Sequence, residues 1–160
     1  MKRNILNPYT QYEGYQCFGC SPNNPHGLNM TFVEDGEFVV SEWEPKDFLQ
    51  GFFNVLHGGI QATLMDEIGS WLVLVKLKTS GVTSNLNCRY LHSVPTNKGK
   101  IKLVAKLVGQ RRNLVDVHVE LYCPDGKLCA QSDITYFTFP PEVAKKKLYF
   151  PPYEQFFEKG

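Results

Sequence analysis

One stretch of helical spacing, set in a chain that otherwise alternates like strand, limits what this sequence can fold into. Ile60, Leu64, Ile68, Leu72 and Val75 recur three or four residues apart, and Met65 and Trp71 widen the apolar stripe. Gly59, Ala62, Thr63, Asp66, Gly69 and Ser70 repeat at the same spacing on the other side, where every side chain is small or polar. The pattern predicts one long helix with a bulky face for a core. Its small face carries a single carboxylate and suits a close neighbour. Gly81 is expected to end it. Asp66, Glu67 and Lys76 put too much charge in this run for a membrane span.

The flanking sequence has a period of two. Leu28 to Val33 and Phe38 to Trp43 read as a hairpin around Glu34-Asp35-Gly36, closed by Pro45. After the helix, Val82 to Tyr90, Lys100 to Val108, Val115 to Leu121 and Leu128 to Phe139 alternate apolar with polar. Thr96 to Gly99, Gly109 to Asn113 and Pro124 to Lys127 supply the turns. The expected order is two strands, one helix and four strands, an α+β fold with an antiparallel sheet of about six strands. Residues 1–27 read as an irregular arm, 28–139 as the domain and 140–160 as a tail with a Lys145-Lys146-Lys147 cluster and several aromatics. One helix cannot cover both faces of such a sheet, so a homo-oligomer is expected.

Composition narrows the class further. With 42% hydrophobic and 21% charged residues over 160 positions, the chain can bury a real core. Seventeen basic against sixteen acidic residues leave a formal charge of +1, without the basic excess of a nucleic-acid or anionic-membrane binder. The opening MKRNILNPYTQYEG has no apolar signal core, which predicts a cytoplasmic protein. Five cysteines are accordingly read as reduced thiols, Cys123 and Cys129 included. Cys17 and Cys20 have C-x-x-C spacing with His26 near, but no fourth ligand is in sight. They are assigned to packing, and no metal is expected.

The chemistry concentrates between Gln50 and Glu67. His57-Gly58-Gly59 stands at the helix start, where unpaired amides and the helix dipole favour an anion or a polarised carbonyl oxygen. That arrangement can stabilise an oxyanion. A glycine-rich entry needed only for packing is the alternative. Asp66, among small and apolar neighbours, reads as a desolvated carboxylate able to act as base or nucleophile. Pairing with Arg89 or a neighbouring backbone group is the plainer role for it. No Ser-His-Asp or Cys-His order with an elbow context is present.

Several segments together resemble the hotdog-fold acyl-CoA thioesterases, in the clade of the phenylacetate-pathway thioesterase. They are Cys17-Phe18-Gly19-Cys20 with Asn24-Pro25-His26-Gly27-Leu28, Gln50-Gly51, His57-Gly58-Gly59 with Asp66, and Val82-Thr83-Ser84-Asn85-Leu86-Asn87-Cys88-Arg89-Tyr90. The resemblance covers about residues 17–139. It implies a curved sheet wrapped around the long helix, a homodimer or dimer of dimers, and sites at the dimer interface. It implies a CoA thioester as substrate, with coenzyme A entering as substrate and no separate cofactor. Gly59 matches the amide donor to the thioester carbonyl and Asp66 the base or nucleophile. Thr83 matches the hydroxyl that places water, and His57 the histidine near the thioester. Many relatives carry an Asn six residues before that histidine; Gly51 stands there, with Asn54 or Gln50 as substitutes, and Gly58 completes the binding loop. Arg111 and Arg112, with Lys98, are expected to meet CoA phosphates or to be ordinary turn charges.

Helix geometry points the same way without the family. At ~1.5 Å per residue, Asp66 lies about 10 Å along the axis from Gly59. A carbonyl held at Gly59 is then out of reach of water activated by Asp66 of the same chain. Two antiparallel helices meeting through their small faces remove the gap. The expected activity is acyl-CoA hydrolysis at a shared site. A non-catalytic acyl-CoA-binding module and a hotdog dehydratase are the rival readings.

Overall fold

A computed structural model describes all residues, 1–160. The helix α1 spans Gly58–Leu77 and begins at the His-Gly-Gly motif. It ends before Gly81, because Lys78 takes the left-handed conformation (φ 55°) that breaks it. Gly81 has another duty: a Cβ there would stand 2.7 Å from the Phe137 carbonyl oxygen.

Seven strands form one sheet: β1 (Lys2–Ile5), β2 (Phe32–Asp35), β3 (Phe38–Trp43), β4 (Gly81–Tyr90), β5 (Ile101–Arg111), β6 (Leu114–Tyr122) and β7 (Leu128–Thr138). Their order is β1-β2-β3-β5-β6-β7-β4, and every pairing is antiparallel. The strand beyond the expected six is β1, inside the arm read as irregular. Lys2, Arg3 and Asn4 are exposed and only Ile5 is buried, so no alternation announces it.

One face of the sheet wraps α1, which touches β3 to β7. The period-two pattern fixes which side chains go inward. Val115, Val117, Val119 and Leu121 of β6, and Ala130, Ser132, Ile134, Tyr136 and Thr138 of β7, are buried. They meet Leu64, Met65, Ile68 and Leu72, all fully buried, each worth about 2 kcal/mol. The tail forms α2 (Pro141–Lys147) and then folds Phe150, Phe156 and Phe157 into the core. Trp71 joins it to the arm and the sheet, 5.9 Å from Phe156, 6.4 Å from Tyr9 and 5.0 Å from Phe32. The Leu6 amide donates to the Phe156 carbonyl.

Cys123 and Cys129 are joined by a disulfide, against the expectation that both stay reduced. The tight turn at Pro124-Asp125-Gly126 is the cause. Cys123 N–H donates to the Lys127 carbonyl and Gly126 N–H to the Cys123 carbonyl, which brings the two Cα atoms to 6.1 Å.

Candidate active site

The start of α1 is held by its own cap. His57 Nδ1 accepts from the Gly59 amide at 2.9 Å, and the His57 carbonyl accepts from the Ile60 and Gln61 amides. The Gly59 N–H read as an open donor is therefore engaged. To reach a substrate oxygen it must be released by a turn of the exposed His57 ring. Tyr90, at the far end of β4, donates its hydroxyl to the Gly58 carbonyl at 2.7 Å.

Gln50 and Asn54 shape the preceding loop rather than the helix mouth. Asn54 sits at φ 60°, its amide donating to Gln50 Oε1 at 3.0 Å and its carbonyl accepting from Thr96. Neither lines the cavity of about 440 Å³ at the helix start, whose walls include Gly51, His57, Gly58, Gln61 and Tyr90. Asn54 borders a second cavity of about 620 Å³ with Lys98 and Lys127. Gln61 went unremarked in the sequence. It is buried, its amide donates to the Leu56 carbonyl, and its Oε1 has no partner.

Asp66 lies two turns on, half-buried rather than desolvated. Thr83 donates to Oδ1 at 2.9 Å and lies 3.2 Å from Oδ2. Tyr136 donates to the Asp66 carbonyl at 2.8 Å and reaches Oδ1 at 3.1 Å. Arg89 takes no part. With two hydroxyls on Oδ1, the carboxylate is fixed in orientation and Oδ2 is the freer oxygen. Tyr136 was missed because it comes from β7, 70 residues away; its inward place in the alternation was the only signal. Gly69 serves Tyr136 too, since a Cβ there would collide with the tyrosine hydroxyl. The small face of α1 thus makes room partly for this ring.

Thr83 stands where β4 bulges between Thr83 and Asn85. On β4 itself, Val82 to Asn87 and Arg89 are exposed, and the strand forms a bare edge of the sheet. Since Gly58 lies at Tyr90 and Asp66 at Thr83, α1 runs antiparallel to this edge. Arg111 and Arg112 sit at the turn after β5, at the Thr83 end, because the register runs Arg111–Leu114–Phe137–Val82. Arg111 is held by Asp116 at 3.1 Å, while Arg112 takes φ 59°.

A helix of this length wrapped by an antiparallel sheet in this order decides the architecture. The fold is the hotdog thioesterase fold. A crystal structure of a thioesterase superfamily protein superposes with TM-score 0.66 and 20% identity over 72% of this chain, which spans 57% of that chain. A Streptococcus pneumoniae hypothetical thioesterase, crystallised with coenzyme A, gives TM-score 0.61 and 23% identity over 66% of this hotdog chain and 83% of its own. In sequence, a Haemophilus influenzae protein named "Putative esterase" is 29% identical over 117 residues, 72% of this chain and 85% of that one. Residues 53–130 match the Thioesterase superfamily, a span that takes in His57, Gly59, Asp66 and Thr83. No helix of this hotdog chain is long and apolar enough to cross a membrane.

Proposed function

We propose that this chain hydrolyses acyl-CoA thioesters to free acid and coenzyme A in the cytoplasm, at sites shared between two copies. The observation that carries the reading is Asp66, oriented by Thr83 and Tyr136 beside an unpaired β4 edge. When two β4 edges pair antiparallel about their midpoint, the Thr83 end of one meets the Tyr90 end of the other. Asp66 then faces Gly59 of the partner subunit, and the ~10 Å separation within one helix no longer matters. The Gly59 amide, released from His57, donates to the thioester oxygen while Asp66 Oδ2 takes a proton from water or attacks the carbonyl directly. Gln61 and Gly58 line the approach to the carbonyl, and Arg112 stands at the end of the sheet where CoA phosphates of the partner's site would pass. The coenzyme A crystallised with the streptococcal structural neighbour agrees with that substrate class.

A panel of acyl-CoA substrates with free-thiol detection tests the reaction. Asp66→Asn keeps the shape and removes proton-accepting power, so kcat should fall by roughly 10² or more. Binding of acyl-CoA with no thiol release from any chain length would make the protein a binding module instead. Single turnover in ¹⁸O-water tests the nucleophilic role of Asp66: label entering the Asp66 carboxylate means that it attacked the thioester and that water opened the anhydride at the aspartyl carbonyl. Mixing Asp66→Asn with Gly59→Pro subunits should restore activity, since one mixed site has both defects and the other neither.

A further inference from the structure

On α1, one residue past Asp66, Glu67 turns away from the candidate active site and meets the N-terminal arm. We propose that Cys17, Cys20 and Glu67 bind a divalent transition-metal ion of the zinc class, fastening the arm to the helix. Cys17 Sγ lies 3.1 Å from Cys20 Sγ and 3.3 Å from Glu67 Oε1, and the three donor atoms fall within 4.8 Å of one another. Zinc takes thiolate sulfur at ~2.3 Å and carboxylate oxygen at ~2.0 Å in a tetrahedron whose edges are about 3.5–3.8 Å. To admit it the two sulfurs must part by about 0.7 Å, and the Cys17 sulfur and Glu67 oxygen by about 0.2 Å.

The surroundings hold these donors in place. Tyr15 OH lies 3.0 Å from Cys20 Sγ, and Trp71 Nε1 donates to Glu67 Oε1 at 3.2 Å. Asn7 donates to both the Cys20 carbonyl and the Tyr15 hydroxyl. Outer hydrogen bonds of this kind orient metal ligands and tune their basicity. Gly19 leaves the space that the acid fills: a Cβ there would stand 2.5–2.6 Å from the Glu67 side chain. Glu67 forms no ion pair with any Lys, Arg or His, so no cation of the protein offsets the cluster.

Thiolates select zinc-class ions over magnesium or calcium. Three protein donors leave one tetrahedral position open, beside a cavity of about 230 Å³ lined by Tyr9, Tyr15, Ser70 and Trp71, where water completes the shell. The C-x-x-C spacing of Cys17 and Cys20 is plain in the sequence; the third donor is not, because it comes from a helix 50 residues after Cys17. The site is independent of the thioesterase reading.

The test is Co²⁺ titration of the reduced full-length protein. One equivalent should give thiolate-to-cobalt charge transfer and the visible bands of a four-coordinate site, and one equivalent of Zn²⁺ should erase both. Cys17→Ser should abolish the charge-transfer signal. Gly19→Ala, which displaces Glu67 and keeps both thiols, should weaken Zn²⁺ binding tenfold or more, on the order of an outer-partner loss. Asp66→Asn should retain full stoichiometry. The proposal is overturned if the wild-type protein, with its thiols counted as free, shows no charge transfer at one equivalent. It is overturned equally if the signal persists in Cys17→Ser/Cys20→Ser.

Discussion

At the residue scale, the site rests on two hydroxyls that converge on one carboxylate oxygen. Thr83 comes from an exposed edge strand and Tyr136 from the buried core, so their removal should have different signatures. Tyr136→Phe deletes the bonds to Asp66 while the ring stays packed. It should cost about 1 kcal/mol of stability and lower kcat with little change in KM. Thr83→Ala should leave stability within ~0.5 kcal/mol and likewise reduce kcat; a rise in KM alone would assign Thr83 to binding instead. Urea unfolding and steady-state kinetics on both variants check the pair. Asp66, Thr83, His57 and Gly59 could be found in the sequence because they lie within short motifs on or beside one helix. Tyr136, Gln61 and Glu67 could not, since what marks them is a contact made by folding: a remote strand, an unpaired buried oxygen, a pair of cysteines.

Between elements, a charged cluster pins α1 to the edge of the sheet. Glu34 of β2 accepts from Arg3 of β1 at 2.6 Å and from Lys76 of α1 at 2.9 Å. Burial alone would raise its carboxyl, but the Lys76 and Arg3 hydrogen bonds outweigh burial and hold it below the usual range. A folded-state pKa below the unfolded value means stability that is present above the unfolded pKa. It is lost as pH falls through the folded one. Glu34→Gln should therefore be less stable than wild type by about 1–2 kcal/mol at pH 7, Arg3 being half exposed, and close to wild type near pH 3. Urea midpoints at the two pH values measure it. The strands that alternate strictly, β6 and β7, were plain in the sequence because each has one face on α1. β1 was not, for its role is to supply an edge and an arginine rather than core. The turn that brings Cys123 and Cys129 together is legible in the sequence; the bond between them is not, because a chain read as cytoplasmic is expected to keep its thiols reduced.

For the whole molecule, the decisive feature is the β4 edge, ten residues long and bare. Val82, Leu86 and Tyr90 are 46%, 38% and 49% exposed along it, an invitation to pair with another strand. Leu86→Lys, placed near the midpoint of the strand, should set like charges against each other across a twofold axis. It should shift the protein toward monomer in sedimentation and lower activity with it. A dimer unchanged by this substitution would place the interface elsewhere and remove the shared site.

The hydrogen bond from Leu6 to Phe156 joins segments separated by nearly the full length of the chain, and Arg3 lies 3.5 Å over the Phe157 ring beside it. A contact of such long span confines the largest loop the polypeptide can make, so it is gained only once hairpins β5–β6 and β6–β7 have drawn the intervening chain together. The clasp is then the last part of the molecule to close and the first to open. Amide exchange should show Leu6 trading its proton through a local opening well below the global unfolding free energy, while Val117 and Val119 exchange only when the whole hotdog comes apart.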